Sequence, residues 1–278
     1  MNSTAPIGIF DSGLGGLAVL KVVRKMLPHE DLLFLGDTQR QPYGPRTIEE
    51  VRQITLEITG YLINQGAKMV LIACNTASVA GGDAAQARYS NTPVIGMIRP
   101  GVNAALRASR SKRIGVWGTE ITIASGAYER MLAEKDPSIR SLGVACPTLL
   151  RLAEKGRIEN KPYLLDLAAK DFEPIVDFKA DTLVLGCTDF TCVRPIIDEV
   201  VGGRVSVVDP AEEVVREAQR ILEQGSALNP STGDGACQFQ VTGDDMDNFS
   251  TFGAKFLGLP KIDVTRIPLA AVQASAHS

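Results

Sequence analysis

Short runs of apolar, β-branched residues punctuate most of the chain, and each closes on small or polar residues. They fall at 7–10, 32–35, 69–73, 94–98, 114–117, 142–145, 182–185 and 205–208. Runs this short that are apolar throughout, rather than alternating, predict strands buried on both faces, as in a parallel sheet. Between them lie stretches of helical period, 47–65 and 162–178 among them. Strand and helix in alternation predict right-handed crossovers and an α/β fold. A further helix is expected over 211–224, followed by a loop at SALNPSTGDGA, where small residues and turn formers gather. The tail 237–268 is expected to add a strand and a helix, packed back on the first half.

The pattern also repeats. IGIFDSG from Ile7 matches IGVWGTE from Ile114, and LLFLGDT from Leu32 matches SLGVACP from Ser141. MVLIACNTAS from Met69 matches TLVLGCTDFT from Thr182, and PVIGMI from Pro93 matches RVSVVDP from Arg204. The four offsets are 107, 109, 113 and 111 residues, in the same order along the chain. Order and spacing together predict two pseudo-symmetric open parallel-sheet domains with the active site in the cleft between them. The first would comprise 1–98 plus 211–278, and the second 99–210.

Composition narrows the function. A chain of 278 residues that is 45% hydrophobic can bury one large core or two smaller ones. The net charge of −3 lacks the basic bias of a nucleic-acid-binding surface, so no nucleic-acid partner is expected. The start MNSTAPIGIF has no basic region followed by a long apolar run, so no signal peptide is expected. No stretch approaches the ~18 uninterrupted apolar residues of a membrane span, so no membrane partner is expected either. Five cysteines, an odd number without an export signal, point to reduced thiols in the cytoplasm. The two histidines, His29 and His277, sit in an expected loop and at the extreme C-terminus, which disfavours a histidine triad or a histidine metal site. Cys187 and Cys192 are not spaced as CxxC and no second pair accompanies them, so no metal is expected.

In open parallel sheets ligands bind beyond the carboxyl ends of the strands. The residues there are Asp11-Ser12-Gly13, Gly36-Asp37-Thr38, Cys74-Asn75-Thr76, Gly118-Thr119, Cys146-Pro147 and Cys187-Thr188-Asp189. Cys74 and Cys187 occupy equivalent tips of the two halves, so pseudo-symmetry would bring them to one cleft from opposite sides. Two acid/base groups so placed can remove a proton from one face of a carbon and deliver one to the other. Each cysteine precedes an expected helix, whose first N–H groups would favour the thiolate. Cys146, Cys192 and Cys237 read instead as buried thiols. DSGLGG from Asp11 lacks the GxGxxG and GK[ST] signatures of nucleotide loops, so its glycines read as close backbone approach to a small ligand. Asp11 itself reads either as a partner for a thiol or as a helix N-cap.

At these tips the sequence resembles glutamate racemases of the aspartate/glutamate racemase superfamily. IGIFDSGLGGL, GDTQRQPYGPRT, VLIACNTAS, PVIGMIRPG, IGVWGTEITIASGAY, ACPTLLRLAEKG and DTLVLGCT follow in family order, and CQFQVTGDD and FGAKFLG resemble the C-terminal segment. The resemblance implies that Cys74 and Cys187 are the two catalytic acid/bases, Cys74 acting on the D-isomer and Cys187 on the L-isomer. It further implies that Asp11 assists Cys74 and that Glu154 supports the Cys187 side. Asp11, Ser12, Pro42, Tyr43, Gly44, Asn75, Thr76, Thr119 and Thr188 would line the substrate site. The implied activity is interconversion of L- and D-glutamate for peptidoglycan and cell-wall biogenesis, hence cell shape. No cofactor is implied, and the implied assembly is a homodimer.

One departure stands out. Glutamate racemases usually read GCTHYP after the second cysteine strand, whereas here the run is Gly186-Cys187-Thr188-Asp189-Phe190-Thr191. Asp189 replaces the histidine that assists the second thiol. An ionised aspartate cannot donate a proton, and its charge would raise the thiol's pKa. Asp189 is then either a working mirror of Asp11, or the mark of a related racemase of altered specificity, or that of a non-catalytic regulatory homologue.

Overall fold

The computed structural model describes residues 1–275, so His277 lies outside the described residues. Among the described residues ten strands form two sheets. The first holds β1 (Ile7–Asp11), β2 (Leu32–Gly36), β3 (Met69–Ile72), β4 (Val94–Ile95), β9 (Cys237–Val241) and β10 (Val264–Arg266). The second holds β5 (Arg113–Gly118), β6 (Arg140–Ala145), β7 (Thr182–Gly186) and β8 (Ser206–Val208). Their orders are β10-β9-β2-β1-β3-β4 and β6-β5-β7-β8, and every pairing is parallel.

Without β9 and β10, the first order is the second order over again. The register carries the likeness to single residues. Ile7 pairs with Leu32 and Met69, and Ile114 pairs with Ser141 and Thr182, which are the residues that the sequence repeat aligned. The fourth pair needs correcting. Val94 lies opposite Val70, and Val207 lies opposite Leu183, so the equivalent of Val94 is Val207 rather than Val205. The strand there starts at Ser206, two residues into the matched segment RVSVVDP.

The inner strands β1, β2, β3, β5 and β7 are buried on both faces, which is why they read as apolar almost throughout. Ile7, Ile9, Phe34 and Leu71 face one core, while Phe10, Leu35, Val70 and Ile72 face another. Trp117, Leu183 and Leu185 face a third, and Ile114, Val116 and Val184 a fourth. The helix Ile48–Asn64 starts at a capping box, in which Thr47 Oγ1 accepts from the Glu50 N–H and the Glu50 carboxylate accepts from the Thr47 N–H. The helix Ala211–Gln224 seats Val214, Val215, Ala218 and Leu222 in the core of β1, β2 and β3. The helix Ile98–Ala108 seats Val102 and Ala105 against β5 and β7.

The tail does more than expected. It supplies two strands, which extend the first sheet beyond β2, together with the helices Met246–Leu257 and Leu269–Ala274. At the amino end of the first sheet lies a buried ion pair. Lys68 Nζ meets Glu30 Oε2 at 2.5 Å and donates to the carbonyls of Ser3 at 2.6 Å and Ala227 at 2.9 Å. Glu30 Oε1 accepts from the Asn229 N–H at 2.8 Å. Among the described residues no helix is long and apolar enough to cross a membrane.

Candidate active site

The carboxyl ends of the two sheets meet. β1 ends at Asp11, whose side chain folds back on its own turn: Oδ1 accepts from Ser12 Oγ at 3.0 Å and from the Gly13 N–H at 2.9 Å. Its other oxygen, Oδ2, accepts from Thr188 Oγ1 at 2.8 Å, across to the tip of β7. Asp11 is thus an Asx turn and a bridge between the sheets rather than a helix N-cap. The helix Leu17–Met26 has Gly16 at that position, with no side-chain cap. Two more hydrogen bonds cross between the halves at this end. Thr76 and Thr119 share one between hydroxyls at 2.9 Å, and Tyr128 Oη donates to Asn75 Oδ1 at 2.9 Å. Thr119 also caps the helix Glu120–Ala124 by accepting from the Thr122 N–H.

Cys74 is the N-cap of the helix Asn75–Arg88, directly after β3. Cys187 stands in the same place after β7, ahead of a short 3-10 helix, Thr188–Val193. Both thiols are pushed above their ordinary range, which corrects the expectation that helix N-termini would lower them. For Cys74 burial acts most, followed by the negative charge of Asp11, and the N–H groups of Ala77 and Ser12 only offset part of this. For Cys187 burial again acts most, followed by Asp189 in its ionised form, with Cys74 and Asp11 contributing less. The same charges act on both sulfurs, which places the two thiols in one electrostatic site.

The surroundings are acidic. Asp189 is 4% exposed, and Cys187 Sγ lies 3.5 Å from its Oδ2. Burial raises Asp189 well above the ordinary carboxylate range, and Asp11 and Glu154 add to the shift. Glu154, the last residue of the helix Pro147–Glu154, is raised to about 7 by burial and by Asp11. None of the ion pairs among the described residues involves Asp11, Asp189 or Glu154.

The mouth of the site is a cavity of about 70 Å³ lined by Pro42, Gly44, Thr119, Leu150, Arg151 and Glu154. Tyr43 is buried beside it, and its hydroxyl is committed to Asp37 Oδ2 at 2.6 Å. Asp37 anchors this loop as a whole, since it also accepts from Arg40 Nε at 2.7 Å and Thr242 Oγ1 at 2.8 Å, and Arg40 pairs onward with Glu57. Ser12, Asn75, Thr76 and Thr188 are all buried at the tips. The Asn75 Nδ2 group is buried without a protein partner. An unmet donor in a buried position costs roughly 1–3 kcal/mol, unless a ligand accepts from it.

The network of Asp37, Arg40, Glu57 and Thr242 escaped sequence reasoning, as did Tyr128, and the DSGLGG glycines were read for close approach without the partner that Gly15 meets. The segments GDTQRQPYG and SGAY contain some of these residues, but nothing in them names the partners. Gly15 has a geometric reason. A Cβ there would lie 2.6 Å from Thr188 Oγ1 and 2.7 Å from Asp189 Oδ1, so only glycine lets this loop close against the tip of β7. Gly15→Ala is expected to push that tip away and to lower kcat by about 10²-fold, the typical result of a misplacement near 1 Å. Steady-state kinetics beside a thermal melt tests this: a variant with unchanged kcat would mean that the close approach is dispensable.

The family model for Asp/Glu/Hydantoin racemase matches residues 16–218. A glutamate racemase of Geobacter metallireducens is 40% identical over 266 residues, covering 95% of this chain and 97% of that protein. The crystal structure of a glutamate racemase isoform from Bacillus anthracis superposes with a TM-score of 0.91 at 34% identity, covering 96% of this chain and 99% of the other. That of glutamate racemase from Francisella tularensis, solved in complex with D-glutamate, gives 0.88 at 28% identity, covering 96% and 98%.

Proposed function

Because the chain belongs to the Asp/Glu/hydantoin racemase family, we propose that it is an isomerase that interconverts L- and D-glutamate through two thiols. The observation that carries this reading is the placement of Cys74 and Cys187. They end equivalent strands of two like-ordered sheets whose tips are joined by hydrogen bonds.

The α-proton of an amino acid is a weak acid, and a thiol whose pKa is raised is the stronger base once ionised. The difficulty is forming the thiolate in a site rich in carboxyl groups. The α-ammonium of the substrate brings in the positive charge that favours it. The substrate's carboxylates find N–H and hydroxyl donors at the tips, among them the unmatched Asn75 Nδ2 and the hydroxyls of Thr76, Thr119 and Thr188. In the L-to-D direction the Cys187 thiolate takes the α-proton while Cys74 gives its own to the opposite face. In the D-to-L direction the roles exchange. The residues present suffice for this proton traffic without a cofactor.

The proposal extends to the setting. The two sheets are read as two domains, 1–98 plus 211–278 and 99–210. The product D-glutamate would serve peptidoglycan in the cytoplasm, and the working form would be a homodimer.

The test follows the α-proton by NMR in D₂O, with optical activity alongside, starting from L-glutamate and then from D-glutamate. Exchange with inversion from both isomers is the expected result. Absence of exchange from either isomer would reject glutamate as the substrate.

A further inference from the structure

The residue that departs from the family pattern, Asp189, touches a reacting atom: Cys187 Sγ lies 3.5 Å from its Oδ2. The other carboxyl oxygen packs on Gly15 beside the Thr188 hydroxyl, which itself donates to Asp11. The groups that face Asp189 come from four places. They are Asp11 from the end of β1, Cys74 from the end of β3, Glu154 from the helix Pro147–Glu154, and Cys187 and Cys192 from its own segment. All are acidic or neutral. Two buried carboxyls that face one another without a cation to pair with cannot both ionise at modest cost.

The hydrogen bonds decide which of the two keeps the proton. Asp11 accepts from Gly13 N–H, Ser12 Oγ and Thr188 Oγ1, all of which favour its ionised form. Asp189 has only the weak S–H donor of Cys187. We propose that Asp189 works as a neutral carboxylic acid whose O–H donates to the Cys187 sulfur when that sulfur is a thiolate, and that ionised Asp11 keeps it neutral.

The proposal rests on the two-thiol reading and deepens it. When Cys187 ionises, its S–H bond breaks and the proton leaves to water. The O–H bond of Asp189 stays intact and turns toward the sulfur. The thiolate lone pair then takes the substrate α-proton, which restores S–H, as Cys74 protonates the other face. A protonated carboxyl thus does for the second thiol what a protonated imidazole does in the GCTHYP pattern, and the departure leaves the chemistry whole.

Three variants and two readouts test this. Asparagine keeps the shape and an N–H donor but has no charge, so Asp189→Asn is expected to keep kcat/KM within about tenfold. Leucine offers no donor, and Asp189→Leu is expected to lose about 10²-fold or more, in the range of a lost acid–base group. The alkaline limb of the wild-type pH profile, where Asp189 loses its proton, is expected to move upward in Asp189→Asn. A variant with asparagine as inactive as leucine would mean that the carboxylate charge is needed, and would overturn the proposal.

The second readout is the infrared carbonyl band of protonated carboxyl groups near neutral pH, which requires no turnover. One component is expected to vanish in Asp189→Asn and to titrate away at lower pH in Asp11→Asn. A spectrum unchanged by Asp189→Asn would overturn the proposal whether or not glutamate is the substrate. If the band behaves as expected while glutamate is not racemised, the substrate assignment fails and the role of Asp189 stands.

Discussion

Cys74→Ala and Cys187→Ala are each expected to lower glutamate racemisation by at least about 10²-fold, the lower end of what a positioned acid or base contributes. The loss should appear in both directions, because each turnover uses one thiol as base and the other as acid. What survives should differ between the two. With Cys74 gone, any remaining exchange of the α-proton with solvent should be confined to L-glutamate and proceed without inversion. With Cys187 gone, it should be confined to D-glutamate. The measurement is NMR in D₂O on both isomers with both variants. Inversion within tenfold of wild type in either variant would remove that cysteine from the mechanism. Cys146 lies at the tip of β6 rather than at a pseudo-equivalent of Cys74, and it donates to the Val144 carbonyl at 3.6 Å. Its alanine variant is therefore the natural control for the loss of a buried thiol.

The largest loss of stability is expected at the other end of the strands. Lys68→Met removes the cation from beneath Glu30, whose side chain is 3% exposed, and leaves a buried charge without its partner. Breaking a buried pair from one side typically costs about 3–5 kcal/mol. It also frees the carbonyls of Ser3 and Ala227, so the chain start and the loop after the helix Ala211–Gln224 lose a shared anchor. Replacing both partners, Glu30→Leu with Lys68→Met, is expected to cost less than the single change, since no lone charge remains. Denaturant titration should show the midpoint falling in the single variant. The kcat of the folded fraction should hold, because Glu30 and Lys68 precede β2 and β3 whereas the thiols follow strand ends. A single variant that loses less than the double would show that the pair is not what holds this corner.

Much of the molecule could be read from its letters because the physics there is local or repetitive. Strands buried on both faces are apolar along nearly their whole length, so Ile7–Asp11 and Thr182–Gly186 declare themselves without their neighbours. The repeat then places them, since like segments in like order take like positions, and the register from Ile7 and Ile114 bears that out. The tips followed from the rule that ligands sit beyond carboxyl ends. What was illegible depends on distant pairing. Thr242 donates to Asp37 across 205 positions in the chain, and Tyr128 reaches Asn75 across 53. The protonation of the thiols was misjudged for the same reason. The helix N–H groups near Cys74 are local and visible in the sequence, but the burial that outweighs them is made by the whole fold. The surroundings of Asp189 were illegible in the same way, because only the structure brings Asp11 and Glu154 to bear on it.

Three of the hydrogen bonds that fasten the halves together, Thr188 to Asp11, Thr76 to Thr119 and Tyr128 to Asn75, employ residues proposed to hold the substrate. The protein is therefore its own competitive ligand. Where glutamate takes over one of these partners, its apparent affinity is its intrinsic affinity multiplied by the fraction of molecules in which that partner is free. Tyr128→Phe, which removes a clasp partner not proposed to hold the substrate, should thus tighten binding.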